Sequence, residues 1–189
     1  SQVRKALSQR FEALVPYTVL PTGESVSVTL QEFALPVSYR YSAVPKLDED
    51  AFLEALLVGW DTLGLISGDM KIFVEGNFVG ISTLNAATLT DTLSLSLGRD
   101  PNVVVQRAVV NGASTKNFFG GKITQQTAYR LEAKNNKLVP ITLYLQDQFP
   151  LSPDESISIK RGTFDDGIID PETGIITWKI ELKPGEQMM

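Results

Sequence analysis

The stretch Thr92-Leu93-Ser94-Leu95-Ser96-Leu97-Gly98-Arg99-Asp100-Pro101-Asn102-Val103-Val104-Val105-Gln106-Arg107-Ala108-Val109-Val110 decides how this chain is read. Its opening alternates Thr or Ser with Leu, the period of a strand that buries one face. Residues 98–101 interrupt the alternation with a glycine and a proline, and a valine-rich run resumes it at Val103. The expected order is strand, break, strand, with a boundary between two β lobes at the break.

The same alternation runs outward in both directions. Upstream, residues 1–10 are polar and read as a tether, residues 11–20 as a first strand, and Val26, Val28 and Leu30 as the apolar face of a second. Val37, Tyr39, Tyr41 and Ala43 mark another half-buried strand. Residues 71–75 and 78–84 flank Gly76-Asn77 and predict a hairpin. Lys46 to Trp60 is ambiguous, because Asp48 could cap a helix and residues 51–57 have high helix propensity. Downstream, residues 111–121 read as an exposed loop, and Asn135-Asn136 as the turn of a hairpin between residues 123–134 and 137–146. Pro140 cannot donate a ladder hydrogen bond and predicts an edge or a bulge. The last strands are placed at 155–161, with Ile157 and Ile159 inward, and at 175–182, with Ile176, Trp178, Ile180 and Leu182 inward.

Composition narrows the chemistry. The 189 residues contain no histidine and no cysteine. That excludes Ser-His-Asp and Cys-His nucleophilic systems, thiol redox chemistry, and zinc sites built on imidazole or thiolate. Seventeen basic residues against 22 acidic ones give a net charge of −5 with no basic stripe, so nucleic acid is not an expected partner. The longest apolar stretch, residues 51–60, falls far short of the roughly 20 residues that span a bilayer, and the chain opens with no apolar leader. No cofactor is expected.

Three constellations merit a functional reading beside a structural one. Asp165, Asp166, Asp170 and Glu172 could supply oxygen ligands to calcium, but they lack the spacing of a calcium loop, and Asp170-Pro171 with Gly174 makes a turn. Asp48-Glu49-Asp50, with Asp147, Asp165 or Asp166 across a cleft, could form the carboxylate pair of a glycoside hydrolase; adjacent acids also cap helices or solvate loops. Tyr39, Tyr41, Tyr129, Tyr144, Trp60 and Trp178 could stack on sugars. Of these, Tyr39, Tyr41 and Trp178 fall on apolar faces and read as core, whereas Tyr144 is out of phase with Ile141, Leu143 and Leu145 and reads as exposed. Phe118 and Phe119, adjacent in a glycine-rich loop, read equally as a contact point or as rings docked back onto the sandwich.

Several segments, taken in order, resemble the C-terminal domain of unknown function of mucoidy-inhibitor-like proteins. They are residues 43–48 (AVPKLD), 73–80 (FVEGNFVG), 95–101 (LSLGRDP), 147–152 (DQFPLS), 173–178 (TGIITW) and 182–186 (LKPGE). The resemblance covers roughly residues 30–186. It implies a bacterial cell-envelope or periplasmic protein, longer than this chain, with no established activity and no catalytic residues to transfer. It also implies that residues 52–60 form a strand rather than a helix. Such domains continue past the segment 183–186 with another strand, whereas this chain stops at Met189, so an edge left open or filled by a neighbouring chain is expected.

The expected fold is all-β, with a tether at 1–10 and two β-sandwich-like lobes at 11–100 and 101–189. The second is expected to be immunoglobulin-like and short of a terminal strand. The expected role is a non-catalytic structural or protein-binding module, using Phe118, Phe119 and Tyr144 or the open edge, with an envelope protein, a glycan or a second copy as partner. Glycan binding or carboxylate-based glycan hydrolysis is the alternative.

Overall fold

In a computed structural model of the chain the described residues are 3–5, 8–10, 16–18, 21, 23, 25–87, 90–112, 115–120 and 122–189. They divide into two units, Ser1–Pro36 and Val37–Met189. In the first, β1 (Val3–Lys5) pairs antiparallel with β2 (Ser8–Arg10), so the expected tether holds a short ribbon. The strand expected at 11–20 lies largely outside the described residues. Residues 25–31 alternate as a strand should, yet carry no ladder.

The second unit contains β3 (Val37–Val44), β4 (Asp48–Val58), β5 (Gly68–Val74), β6 (Asn77–Leu84), β7 (Thr92–Val109), β8 (Thr115–Phe119) and β9 (Lys122–Gln126). It continues with β10 (Tyr129–Asn135), β11 (Ile141–Gln148), β12 (Ile168–Ile169), β13 (Ile175–Leu182) and β14 (Gln187–Met188). The fold is all-β, and the one helical turn among the described residues is the 3-10 segment Trp60–Leu63. No helix among the described residues is long and apolar enough to cross a membrane. Eight strands form one curled sheet in the order β12-β13-β11-β3-β4-β7-β10-β14, and β5-β6 and β8-β9 form separate ribbons. The curl brings alternate residues of six strands into one core, including Tyr41, Ala51, Val103, Val105, Ala133, Leu143, Ile180 and Leu182.

Residues 51–57 are strand, not helix. β4 pairs with β3 on one side and β7 on the other, and two ladders outweigh a propensity worth tenths of a kcal/mol per residue. The break at 98–101 is not a boundary. β7 runs through it: β4 pairs with residues 92–99 and again with Val104, β10 pairs with residues 103–109, and the β4–β7 register shifts at the break. Gly98, at φ 96, opens a bulge across which one strand keeps β4 on one edge and takes up β10 on the other. The two expected lobes therefore share one sheet and one core.

Other differences have equally local causes. The hairpin turn of β5-β6 is Glu75-Gly76, one residue earlier than expected, with Val74 opposite Asn77. Residues 115–119, expected within a loop, form a ribbon with residues 122–126. β10 and β11 do not pair with each other, so Asn135-Asn136 is not a hairpin turn, and Pro140 precedes β11, which is a central strand. Residues 155–161 have no strand partner; Ile157 and Ile159 are exposed. At the other end, β14 pairs only with Ala133 and Lys134 of β10, which makes it a short edge strand.

Asn135 is fully buried instead. Its amide nitrogen donates to the carbonyls of Val139, Leu182 and Lys183 at 2.9, 3.1 and 3.1 Å, and its oxygen accepts from the Lys137 amide at 2.9 Å. Its own backbone N–H and C=O pair with Glu186 and Gly185. One side chain thus joins β10, the connection to β11 and the turn after β13. Asn135→Ala leaves several buried groups without partners and is expected to cost about 2–4 kcal/mol in urea unfolding. Asn135→Asp is expected to cost at least as much at neutral pH, because its carboxylate would face those carbonyl oxygens.

Candidate functional site

The bulge in β7 sets the most connected polar cluster of the domain. Asp100 follows Gly98 and Arg99, and its Oδ1 accepts from the backbone and side-chain nitrogens of Asn102, each at 3.0 Å. Its Oδ2 accepts from Tyr41 Oη at 2.8 Å and pairs with Lys137 Nζ. Burial alone would raise the Asp100 carboxyl, but the hydrogen bonds from Lys137, Tyr41 and Asn102 outweigh it and hold it well below the usual carboxylate range. The same contact holds Lys137 above its ordinary value. Burial first, then Asp100, pushes the Tyr41 hydroxyl up.

Tyr41 and Lys137 form the base of a cleft of about 640 Å³. It exists because β3, β4 and the first half of β7 extend beyond the strands that cover the core. Their residues Tyr39, Leu53 and Leu97 line it, with Val139 to Ile141 and with Val74 and Glu75 at the β5-β6 turn. Tyr39, expected in the core, is 63% exposed here.

The sequence-singled residues fall in separate places. Phe118 and Phe119 lie at the tip of the β8-β9 ribbon, 74% and 89% exposed. Tyr144 is half-buried on the outer sheet face under the Arg40 guanidinium, 4.8 Å from its ring centroid, so it is not the open aromatic expected. Beside it, Glu54 accepts from Arg40 at 2.8 Å, Ser42 at 2.7 Å and Ser94 at 3.3 Å. Burial opposes its ionisation, yet these donors leave the carboxyl below its ordinary value. Trp178 is half-buried and donates to the Asp165 carbonyl at 2.7 Å, with Gly167 so close that a Cβ there would meet Trp178 Nε1 at 2.7 Å.

Four of the acidic candidates are engaged in structure. Asp48 and Asp50 pair with Arg99 at 2.7 and 3.2 Å, and Asp147 with Arg107 at 3.0 Å, so none is a free acid or base. Asp170 accepts from the Glu172 amide and the Thr173 hydroxyl, as a turn residue does. Among the described residues no group of three or more acids gathers where a metal ion could sit.

Sequence reasoning missed the Asp100–Tyr41–Lys137 cluster. Asp100-Pro101-Asn102 signals an Asx turn, but nothing local ties it to a lysine 37 residues on. Because folding lowers the Asp100 pKa from an unfolded value near ~3.9, its carboxylate contributes stability above about pH 4, lost as pH falls towards the folded value. Asp100→Asn is expected to cost about 2–3 kcal/mol at pH 7 and to flatten the acid-side decline between about pH 5 and 2. Parallel stability–pH curves for parent and variant would contradict this.

Comparison with known proteins adds a relative and a family. Protein F37C4.5 of Caenorhabditis elegans is 25% identical over 194 residues, which cover 95% of this chain and 35% of that protein. The chain therefore spans about a third of the relative's length. No solved structure matches the chain significantly. A family model described as a domain of unknown function, DUF4139, matches residues 2–189, and the chain belongs to that family.

Proposed function

We propose that this chain is a non-catalytic, protein-binding module of a longer protein, and that the β8-β9 ribbon is its contact element. The carrying observation is the ribbon's tip: Phe118, Phe119 and Ile123 are exposed together on two strands that pair only with each other. A lone hairpin is marginal in water, and clustered exposed aromatics are stabilised when a partner buries them. The absence of histidine and cysteine from the sequence, with Asp48, Asp50 and Asp147 held by arginines, supports a role in binding rather than catalysis. The ordered resemblance to mucoidy-inhibitor-like proteins supports a bacterial envelope setting. The nematode relative supports a longer parent protein.

Phe118→Ser with Phe119→Ser is expected to leave unfolding within about 0.5 kcal/mol of the parent, since neither ring packs in the core. The binding claim is tested by placing a photo-crosslinking phenylalanine at position 119 of the full-length protein in cells, with Leu47, 82% exposed in another turn, as control. A discrete crosslinked species from position 119 alone is expected, and a product of two identical chains would identify the partner as a second copy. No discrete species at 119, or the same one from position 47, would overturn the reading.

A further inference from the structure

The cleft carries an inference of its own, independent of the ribbon. Its walls are largely apolar, with the Tyr39 ring open to solvent and Leu53, Leu97 and Val139 beside it. Its one cation, Lys137, is spent on Asp100 and offers nothing to an anion. Its two rim acids are in a different position. Glu181 accepts from Thr142 and lies 3.7 Å from Lys179. Glu75 has no ion-pair or hydrogen-bond partner among the described residues.

Glu75 is also held in an unusual conformation. With Val74 opposite Asn77, Glu75 and Gly76 are the central pair of the turn, at φ 50 and 82. Turns of this shape favour Asn, Asp or Gly at the first position, and other L-residues adopt it at a cost. A glycine there would relieve the backbone; a glutamate instead sets an unpaired carboxylate at the mouth of an apolar cleft. Backbone strain at the wall of a cavity is where binding residues concentrate.

We infer that the cleft receives a lysine or arginine side chain of a partner polypeptide, flanked by apolar residues. The apolar neighbours lie against Tyr39, Leu53 and Leu97, and the cation meets Glu75, with Glu181 a second acid among the lining residues. Negative charge at the rim without a free base inside is the complement of a basic, apolar segment and repels an acidic one.

The test is titration of the ¹⁵N-labelled protein with acetyl-Leu-Arg-Leu-amide and, in parallel, acetyl-Leu-Glu-Leu-amide. Saturable amide shifts at Val74, Gly76, Leu97 and Thr142 are expected with the arginine peptide and not with the glutamate peptide. Glu75→Gln is expected to weaken binding about fivefold, the size of one exposed ion pair. Glu75→Gly is expected to weaken it likewise while leaving the unfolding midpoint unchanged or higher, which separates lost binding from lost folding. Absent shifts at those amides, equal response to both peptides, or unchanged affinity in Glu75→Gln would each overturn the inference. A failed crosslink at position 119 would leave it standing.

Discussion

Asp100 sits at the break in β7, and its carboxylate is held from three directions: by Tyr41 on β3, by Lys137 before β11, and by Asn102 on its own strand. A strand that keeps β4 on one edge through two register shifts while taking up β10 on the other must bend, and the Gly98 bulge supplies the bend. The carboxylate then fixes its direction. At the far end of β7, Arg107 pairs with Asp147 of β11 at 3.0 Å and lies 3.5 Å over the Tyr129 ring. β7 is thus clamped to β11 and its approach at two points, with the apolar core between them. Such pairs add less to stability than their Coulomb energy implies, because both charges give up water. Breaking one is costly all the same, since it strands the other charge in a partly buried site.

The clamps decide which surfaces the domain can use. Near Asp100, the covering strands end while β3, β4 and β7 continue, so the cleft is a consequence of unequal strand lengths rather than a missing piece of core. Its base is fixed, because Tyr41 and Lys137 are committed to Asp100. Beyond Val109 in the chain lies the β8-β9 ribbon, whose pairing is internal and whose residues 115–119 are exposed. One strand therefore carries a preformed cleft beside its bulge and an aromatic tip past its end. The first suits one long basic side chain with apolar neighbours entering a defined space, and the second a partner that covers exposed rings.

Much of this fold is written in short-range pattern. Leu93-Ser94-Leu95-Ser96-Leu97, the β5-β6 pair and residues 175–182 are strands in the sequence and in the structure, because alternation and turn chemistry act within a few residues. For Phe118 and Phe119 a glycine-rich stretch leaves exposure and docking onto the sandwich equally open, and the structure exposes both rings. The failures are non-local. Gly98-Arg99-Asp100-Pro101 has the same chemistry whether it ends a domain or bends a strand, and only the pairing of β7 with both β4 and β10 distinguishes the two. Asn135-Asn136 has turn chemistry, yet Asn135 is buried because acceptors 47 and 48 residues away meet it. Tyr39 and Tyr144 exchange their expected surroundings because exposure of an in-phase residue depends on where the covering strand stops. For residues 51–57, two ladders overrode helix propensity, as the family resemblance implied.

The central claim is that residues 37–189 fold as one unit through a shared sheet, and the two tryptophans report on either side of the Asp100 bulge. Trp178→Phe leaves Trp60 to report on the segment after β4, and Trp60→Phe leaves Trp178 to report on β13. In each variant, the fluorescence transition in urea is measured against far-ultraviolet circular dichroism. Coincident midpoints and slopes within each variant are predicted, as for a single two-state domain. A tryptophan transition displaced from the dichroism curve in either variant would show that the parts before and after the bulge unfold separately, and would contradict the account.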